Sequence, residues 1–398
     1  MTKQERQQIE DQLQKAESAI NQIHRIIEAD DSEPKPNEPP IDLPPPSENG
    51  IIVGSRDELL AAIDSAKGGE TIQLKPGNYG AIEINKKDFE PPLSITSLRN
   101  SSLAVLNSLV VSRSSGIHIS HLDFRCDLSP GQSSHFDAAV FFYKCSNVSV
   151  LSCDIDARSK ETGTYSALAC RLCKNVAFQV CDLHHGKRGL IVTQSTYVII
   201  KSNLFSDNVG DNLQVGPDCE HIKIYENTFE TLFRLGDIHP DHIQFHTSGA
   251  TKPTRFIFIY DNNIFQREGW SQSIFMRDEG GVGIENVSIH NNLILNAHVH
   301  GITAQVRNSD ISNNSVLWNG IAPGFKHCIP AINVNVADGN RVERNVAGGF
   351  DLNGEGLDNR VIWREHYDSA FVNGLVPIAD AKPGDFKRLG DASTGAYR

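Results

Sequence analysis

Short segments that alternate apolar and polar residues recur nine times through the middle of the chain. NVSVLSCDI at 147–155, YVIIKSNLF at 197–205 and NVSIHNNLI at 286–294 are examples. This alternation is typical of β-strands that bury one face. Each segment bends at an equivalent position, and successive bends are 22 to 36 residues apart. We place the bends at Leu122, Cys153, Cys181, Asn203, Asn227, Asn263, Asn292, Asn314 and Asn345.

Units this short cannot bury an apolar face alone, so they must stack on one another. Asparagine side chains at the bends can hydrogen-bond from one unit to the next, which offsets the cost of burying them. The pattern therefore predicts an all-β fold, a right-handed single-stranded parallel β-helix of about nine or ten coils.

A second strand follows each bend, and its alternation predicts two inward columns that form the core. The first column comprises Ala139, Leu168, Leu190, Leu213, Ile243, Ile274, Ile302 and Ile332. The second comprises Phe141, Cys170, Val192, Val215, Phe245, Met276, Ala304 and Val334. The residues between and beside these columns are expected to face solvent.

The N-terminal part of the chain has a different pattern. Within residues 1–30, Ile9, Leu13, Ala16, Ile20, Ile23 and Ile27 form a heptad seam of three repeats. Isoleucine-rich seams favour three strands over two, so we expect a coiled-coil or anchoring helix that supports a homotrimer. An alternative is a monomeric amphipathic helix that docks on a neighbour. Residues 31–50 hold seven of the 18 prolines and predict an extended linker.

The predicted parallel β-helix spans residues 51–350. Ser55 and Glu58 form a capping box at the start of an amphipathic segment, so a helix over 55–66 is expected to cap the first coil. The repeat dies out after residue 350. Residues 351–398 are expected to form a loop-rich C-terminal cap.

Charge and hydropathy exclude two classes of partner. The formal net charge of −12 argues against nucleic acid, because phosphate binding requires a basic face. No apolar run approaches the ~20 residues of a membrane-spanning helix, so membrane insertion is not expected. The first residues, MTKQERQQIE, contain no apolar segment typical of a signal peptide.

The solvent-facing columns of the second strand gather polar residues in the middle coils. Stacked coils lie about 4.8 Å apart, so residues of one column are neighbours. The densest segment, GDIHPDHIQFH at 236–246, adds further carboxylates and imidazoles. We predict that Asp241, Asp211, His246, Arg277 and His239 contribute to catalysis. We predict that Gln244, Gln214, Arg188, His242, His300, Gln305, Trp270 and Asp237 bind substrate.

Two carboxylates on neighbouring coils suit glycoside hydrolysis. Like charges at close range raise the pKa of one carboxyl, which can then act as a general acid, while the other stays ionised as base or nucleophile. We assign these roles to Asp241 and Asp211 respectively. Amides would bind sugar hydroxyls, and the two arginines would bind any acidic substituent. No metal ligands are assigned.

A lyase or epimerase remains an alternative. His239 or His246 would then abstract the proton next to a uronate carboxyl. Arg277 or a bound cation such as Ca²⁺ would stabilise the resulting charge. Apart from that case no cofactor is expected.

The repeat, together with SRDELLAAIDSAKGGETIQLKPGNYG at 55–80, resembles the pectate-lyase-like superfamily of parallel β-helices across residues 50–370. The polygalacturonase pattern of NxD, DD, GHG and RxK is not present in this chain. The modular order most resembles a phage tailspike or polysaccharide depolymerase.

That resemblance implies a homotrimeric protein on a virion tail, or outside the cell, that binds and depolymerises a host surface polysaccharide. Residues 1–30 would attach to a virion tail or baseplate protein. A non-enzymatic glycan-binding spike or adhesin is the alternative without catalysis.

Overall fold

The computed structural model describes residues 50–98, 102–127, 137–237, 239–267, 271–319, 329–354 and 356–361. The predicted coiled-coil helix of residues 1–30, most of the linker and Trp270 lie outside the described residues. Most of the segment predicted as a C-terminal cap, residues 362–398, also lies outside them.

The described residues form three parallel sheets through which the chain winds in turn, which is a right-handed parallel β-helix as predicted. In each full turn the chain passes through sheet 1, bends into sheet 2 and then crosses to sheet 3. Eleven strands in each of sheets 2 and 3 slightly exceed the expected nine or ten coils. In sheet 2, Ala104–Leu106 precedes the first recognisable repeat and Arg360–Val361 follows the last one.

Sheet 1 has twelve strands. They are Ile51–Val53, Thr71–Leu74, Asp88–Ser97, Ser115–Ser120, Ser146–Leu151, Lys174–Gln179, Thr196–Lys201, Glu220–Tyr225, Thr254–Tyr260, Ile284–His290, Asp310–Ser312 and Arg341–Glu343. Sheet 2 has eleven shorter strands. They are Ala104–Leu106, Leu122–Arg125, Asp154–Asp156, Asp182–His184, Leu204–Ser206, Thr228–Phe229, Asn263–Phe265, Leu293–Asn296, Ser315–Trp318, Val346–Ala347 and Arg360–Val361.

Sheet 3 carries the polar face predicted to hold the site. Its strands are Ala81–Asn85, Ser108–Ser112, Ala138–Tyr143, Ser166–Arg171, Leu190–Thr193, Leu213–Val215, Asp241–His246, Gln272–Arg277, His300–Ala304, Ala331–Val334 and Gly349–Asp351. A short 3₁₀ helix, Val336–Asp338, follows the tenth of these strands.

The inward columns of sheet 3 are confirmed from Leu168 onward, with one correction in the coil before it. Leu168 pairs with Val140, and Cys170 pairs with Phe142. The predicted alignment, which placed Ala139 and Phe141 there, was therefore shifted by one residue. The run AAVFF is apolar at every position, so alternation could not reveal its register.

The predicted asparagine ladder lies at the bend between sheets 1 and 2. The Asn227 side-chain oxygen accepts from the backbone and side-chain nitrogens of Asn203 at 2.9 and 3.0 Å. The Asn227 side-chain nitrogen donates to the Ile200 and Tyr225 carbonyls at 2.9 and 3.0 Å. Each ladder asparagine thus satisfies backbone groups that the bend would leave buried and unpaired.

One position of the ladder was predicted wrongly. Asn262, not Asn263, continues from Asn227 to Asn292. Asn263 instead begins a strand of sheet 2. The ladder also extends one step further than expected, from Asn345 to Asn359.

Helix α1, Arg56–Ser65, is the expected cap at the N-terminal end of the solenoid. The Ser55 hydroxyl accepts from the Glu58 backbone nitrogen at 3.3 Å, as a capping serine does. The Glu58 carboxylate accepts from Gly54 rather than from Ser55. Leu59 and Ile63 bury the apolar side of the helix in the core. Within the described part of the chain, no helix has both the length and the hydropathy to cross a membrane.

We expect Asn227→Ala to lower the free energy of unfolding by about 3 kcal/mol, because several buried backbone groups lose their partners at once. Thermal unfolding followed by circular dichroism measures the change. The matched control is Asn85→Ala, because Asn85 is exposed and accepts one hydrogen bond, from Ser112. Equal stability of the two variants would contradict a structural role for the ladder.

Candidate functional site

The candidate site lies on the outer face of sheet 3, where two neighbouring turns each supply an aspartate. The Asp241 backbone nitrogen donates to Asp211 Oδ1 at 3.1 Å, so the two residues are in direct contact. Asp241 is completely buried and Asp211 is nearly so. Stacking thus places the two aspartates on neighbouring turns and in contact, and both are much less exposed than expected.

Burial changes the acid strength of Asp211. Loss of solvation, reinforced by the negative charge of Asp241, raises the pKa of Asp211 to about 7. Arg188 opposes this effect, because its Nε lies 3.3 Å from Asp211 Oδ2. Asp211 can therefore hold a proton near neutral pH, which an exposed aspartate cannot do.

His239 covers Asp241 on the solvent side. Its Nδ1 lies 3.3 Å from Asp241 Oδ1, and about half of its side chain is exposed. The neighbouring Asp241 carboxylate raises the pKa of His239, against the opposing effect of partial burial. The Gln272 side-chain nitrogen lies within 3.2 Å of both ring nitrogens of His239. A buried carboxylate that orients a more exposed imidazole is a common arrangement for proton transfer.

A chain of amides holds the other oxygen of Asp241. The Gln244 side-chain nitrogen donates to Asp241 Oδ2 at 2.7 Å, and the Gln214 side-chain nitrogen donates to Gln244 Oε1 at 2.6 Å. Gln214 and Gln244 are paired in register on adjacent strands. Their stacking therefore extends the polar site along the solenoid axis.

A groove of about 400 Å³ opens beside these amides. Gln214, Arg188, Lys187 and His246 line it together with Asp137 and several smaller residues. Burial lowers the pKa of His246 and favours its neutral form. The groove thus offers cations, an amide and a neutral imidazole, and one of its cations, Arg188, contacts Asp211.

The groove depends on a close approach between two turns at Gly216. A Cβ at this position would lie 2.0 Å from the His246 carbonyl oxygen, and the backbone has a φ of +137°. Only glycine meets both conditions without displacing the strand that carries Asp241.

His242 was predicted to bind substrate, and the structure contradicts this. Its ring is completely buried, with Nδ1 3.1 Å from the Asn212 side-chain nitrogen and Nε2 3.0 Å from Gln266 Oε1. Burial lowers the pKa of His242 to about 3, so the ring is neutral. It therefore belongs to a buried polar network under the site and cannot contact a ligand.

That network contacts the start of the Asp241–His246 strand from the buried side of the sheet and holds it in place. Asn208 donates to Asn212 Oδ1 at 2.8 Å, and Ser271 donates to the same Gln266 oxygen at 3.1 Å. Sequence alternation could not identify these partners, because they lie in the irregular bends between sheets 2 and 3. The network holds the backbone that presents Asp241 to the outer face.

The other predicted residues lie at the edges of the same face. Arg277 is exposed and pairs in register with His246, and its Nε lies 4.0 Å from a Glu279 oxygen. Gln305 is exposed and accepts from the Asp278 backbone nitrogen at 3.1 Å.

Asp237 is exposed in the bend that precedes the Asp241 strand. His300 is half-buried, with its Nδ1 2.8 Å from the Thr303 hydroxyl and its ring edge against Phe275. Burial lowers the pKa of His300.

Two residues of this face were not among the predicted site residues. Gln272 pairs in register with Asp241, so the column alignment already contained the signal that would have identified it. Lys187 precedes Arg188 and lines the groove, but it lies in a bend where alternation carries no information. Among the described residues, no three metal-binding side chains of this face lie close enough to share an ion.

No protein-family model matches the sequence, and no curated protein sequence matches it. Solved structures do match. The chain is similar to the Dettilon tailspike protein, with a TM-score of 0.52 and 12% identity over 76% of this chain. The matched region spans 59% of that tailspike.

Two further structures are similar at lower scores. The surface adhesin PfbA of Streptococcus pneumoniae has a TM-score of 0.48 and 10% identity, over 77% of this chain and 86% of the adhesin. Pectate lyase Pel9A has a TM-score of 0.41 and 14% identity, over 87% of this chain and 90% of the lyase. The fold of the chain is a right-handed parallel β-helix, and the tailspike structure is similar to it over 76% of this chain.

Proposed function

We propose that this protein binds a polysaccharide along the outer face of sheet 3 and hydrolyses its glycosidic bonds. The observation that carries the proposal is the buried pair Asp211 and Asp241, in which burial and the charge of Asp241 raise the pKa of Asp211 to about 7. Glycoside hydrolysis requires a carboxylic acid that is still protonated at the working pH, next to a second group that activates water.

The geometry favours a division of roles that differs from the sequence-based assignment. Asp211 is the proton donor, because its pKa is raised and it retains slight exposure. Asp241 has no exposed surface, so it acts as a positioning residue for His239. His239 is half-exposed and accepts the proton of the attacking water.

In this mechanism Asp211 gives its proton to the glycosidic oxygen as the bond to the anomeric carbon breaks. Water adds its hydroxyl to that carbon and gives its remaining proton to His239. Exchange with solvent then returns both groups to their starting states. The charge of Asp241 stabilises the imidazolium that forms, as a buried carboxylate does beneath a catalytic histidine.

The surrounding side chains suit a sugar chain. Gln214 and Gln244 offer amides for hydroxyl groups, and the groove adds the cations Arg188 and Lys187 for an acidic substituent. Arg277, Gln305 and His300 extend the same face over further turns, which allows several sugar units to bind. The tailspike similarity supports a location on a virion tail or outside the cell.

A uronate lyase is the second candidate, and one observation favours it. The exposed His239 lies on the same face as the cations Arg188 and Lys187, which could hold a uronate carboxylate. His239 would then remove the proton next to that carboxylate, and no water would be added. Unsaturated products, detected by ultraviolet absorbance, distinguish this reaction from hydrolysis.

We expect Asp211→Asn and His239→Gln each to reduce hydrolysis at least ~100-fold while polysaccharide binding is retained, because only proton transfer is lost. New reducing ends, measured on a panel of capsular polysaccharides and lipopolysaccharides, report cleavage. Asp64→Asn is the matched control, because Asp64 is an exposed carboxylate of helix α1. Wild-type turnover in Asp211→Asn would contradict the assignment. Binding without any products from the wild-type chain would favour an adhesin.

The raised pKa of Asp211 also predicts a pH effect on stability. The folded state keeps this proton up to about pH 7, whereas an ordinary aspartate, with a pKa of 3.8, loses it earlier. Stability from this group is therefore full below pH 3.8 and falls as pH rises towards 7, by at most about 4 kcal/mol.

Thermal unfolding of wild type and Asp211→Asn at pH 5 and pH 8 measures this effect. We expect the wild type to lose more stability between the two pH values than the variant does, because the variant cannot ionise at this position. The same pH dependence in both proteins would contradict a raised pKa at Asp211.

We further propose a homotrimer held by the heptad seam of residues 1–30, which would attach the protein to a virion tail or baseplate protein. Ile20→Asp, at a seam position, should reduce the mass measured by light scattering to that of a monomer. Gln22→Asp, outside the seam, should leave it unchanged. A wild-type monomer would contradict the proposed assembly.

A further inference from the structure

A second cluster of titratable side chains lies on the outer face of sheet 2, away from the candidate site. Asp154 pairs in register with Asp182, and Asp156 pairs with His184. On the preceding strand, Asp123 and Arg125 occupy the same two columns. The cluster therefore spans three successive turns of the solenoid.

Two ring nitrogens and one carboxylate oxygen of this cluster lie close together, and they come from two neighbouring turns. His184 Nδ1 and His185 Nδ1 lie 3.0 Å apart, and His185 Nδ1 lies 3.1 Å from Asp156 Oδ1. Consecutive residues of a strand normally point to opposite faces. His185 is an exception, because it follows the end of the Asp182–His184 strand and has a φ of +55°. The left-handed backbone brings its ring beside that of His184.

The tautomer of His184 is set by a separate contact. His184 Nε2 lies 2.7 Å from Asp154 Oδ1, so in the neutral ring Nε2 carries the proton and donates it. Nδ1 is then left with a free electron pair that faces His185. A metal-binding imidazole commonly donates its other ring N–H to a carboxylate. This contact orients the ring and makes it a better ligand.

The spacing fits one metal ion. Two nitrogen ligands at about 2.0–2.1 Å from an ion and 3.0 Å from each other subtend an angle of roughly 95°. This angle lies between octahedral and tetrahedral geometry, close to the former. Asp156, His184 and His185 each offer one ligand atom within 4.8 Å of the others. Their side chains are 15%, 13% and 38% exposed, so solvent can reach the remaining coordination positions.

The surrounding charge favours a cation. Asp123, Asp154, Asp156 and Asp182 supply four carboxylates, and Arg125 forms ion pairs with the first three. Arg125 reaches Asp156 through Oδ2, which leaves Oδ1 facing His185. Asp156 Oδ1 also accepts from the Arg158 backbone nitrogen at 2.9 Å, which orients it.

We propose that Asp156, His184 and His185 bind a divalent transition-metal ion such as Zn²⁺, with Asp154 as the positioning residue of His184. Two imidazoles and one carboxylate suit this class of ion better than Ca²⁺ or Mg²⁺, which prefer oxygen ligands. The ion links two turns next to the bend that presents Lys187 and Arg188 to the groove. It therefore stabilises the wall of the candidate site without taking part in the chemistry.

Calorimetric titration of the metal-free full-length chain with Zn²⁺ tests the proposal. We expect one site per chain in the wild type, and loss of that site in His184→Gln and in His185→Gln. Asp154→Asn should weaken binding by about 10- to 100-fold, as expected for an outer partner of a ligand. Co²⁺ should give a visible absorption spectrum in the wild type that is absent from His185→Gln.

His118→Gln is the matched control, because His118 lies on sheet 1, and the chain has 15 histidines that could bind metal nonspecifically. This variant should bind Zn²⁺ as the wild type does, and Zn²⁺ should raise the melting temperature of both. No Zn²⁺ site in the wild type, or equal affinity in His184→Gln, His185→Gln and the control, would overturn the proposal. If His184→Gln does not fold, the result for His185→Gln tests the proposal, because a substitution at the more exposed His185 disturbs the fold less.

Discussion

Hydrogen bonding between consecutive turns is the constraint on which the rest of this structure depends. Between the ends of the three described sheets, each strand pairs in parallel with the strand one turn before it and the strand one turn after it, so its side chains have neighbours of the same column about 4.8 Å away. Apolar columns form the core in this way, and asparagine columns satisfy the backbone at the bends. The same repetition also places like charges side by side, which most folds avoid. In this fold it brings Asp211 and Asp241 into contact.

The candidate site is stabilised from its buried side. Burying Asp241 without solvent is costly, and the cost is offset by contacts with Gln244 and His239 on the outer face. Beneath the strand, the neutral ring of His242 joins Asn212 to Gln266 and fixes the backbone from which Asp241 projects. Two adjacent residues thus have different roles: His242 belongs to the buried polar network, and Asp241 interacts with Gln244 and His239 towards the outer face. Rigid placement of this kind is what an acid–base pair requires.

The two polar faces of the solenoid are physically connected. The strand Asp182–His184 of sheet 2 leads within four residues to Arg188, which contacts Asp211, two residues before the Leu213–Val215 strand of sheet 3. In the bend between them, Gly186 donates to Asn208 at 2.9 Å, and Asn208 belongs to the network under the site. An ion held by His184 and His185 would restrain this bend. The proposed metal and the proposed acid would therefore lie on neighbouring turns that meet at this bend, while remaining chemically separate.

The sequence by itself determined the architecture, because the alternation of apolar and polar residues and the asparagines at the bends repeat often enough to specify strands, bends and stacking. It also brought Asp211, Asp241 and Gln244 together, since residues of equivalent position in neighbouring coils must meet. Only the tertiary structure decided the register of the all-apolar run at 138–142 and the choice of Asn262 over Asn263, because alternation carries no information there. Burial of His242 and Asp241, and the convergence of His184 with His185, were likewise decided by irregular bends, whose backbone conformations depend on long-range contacts.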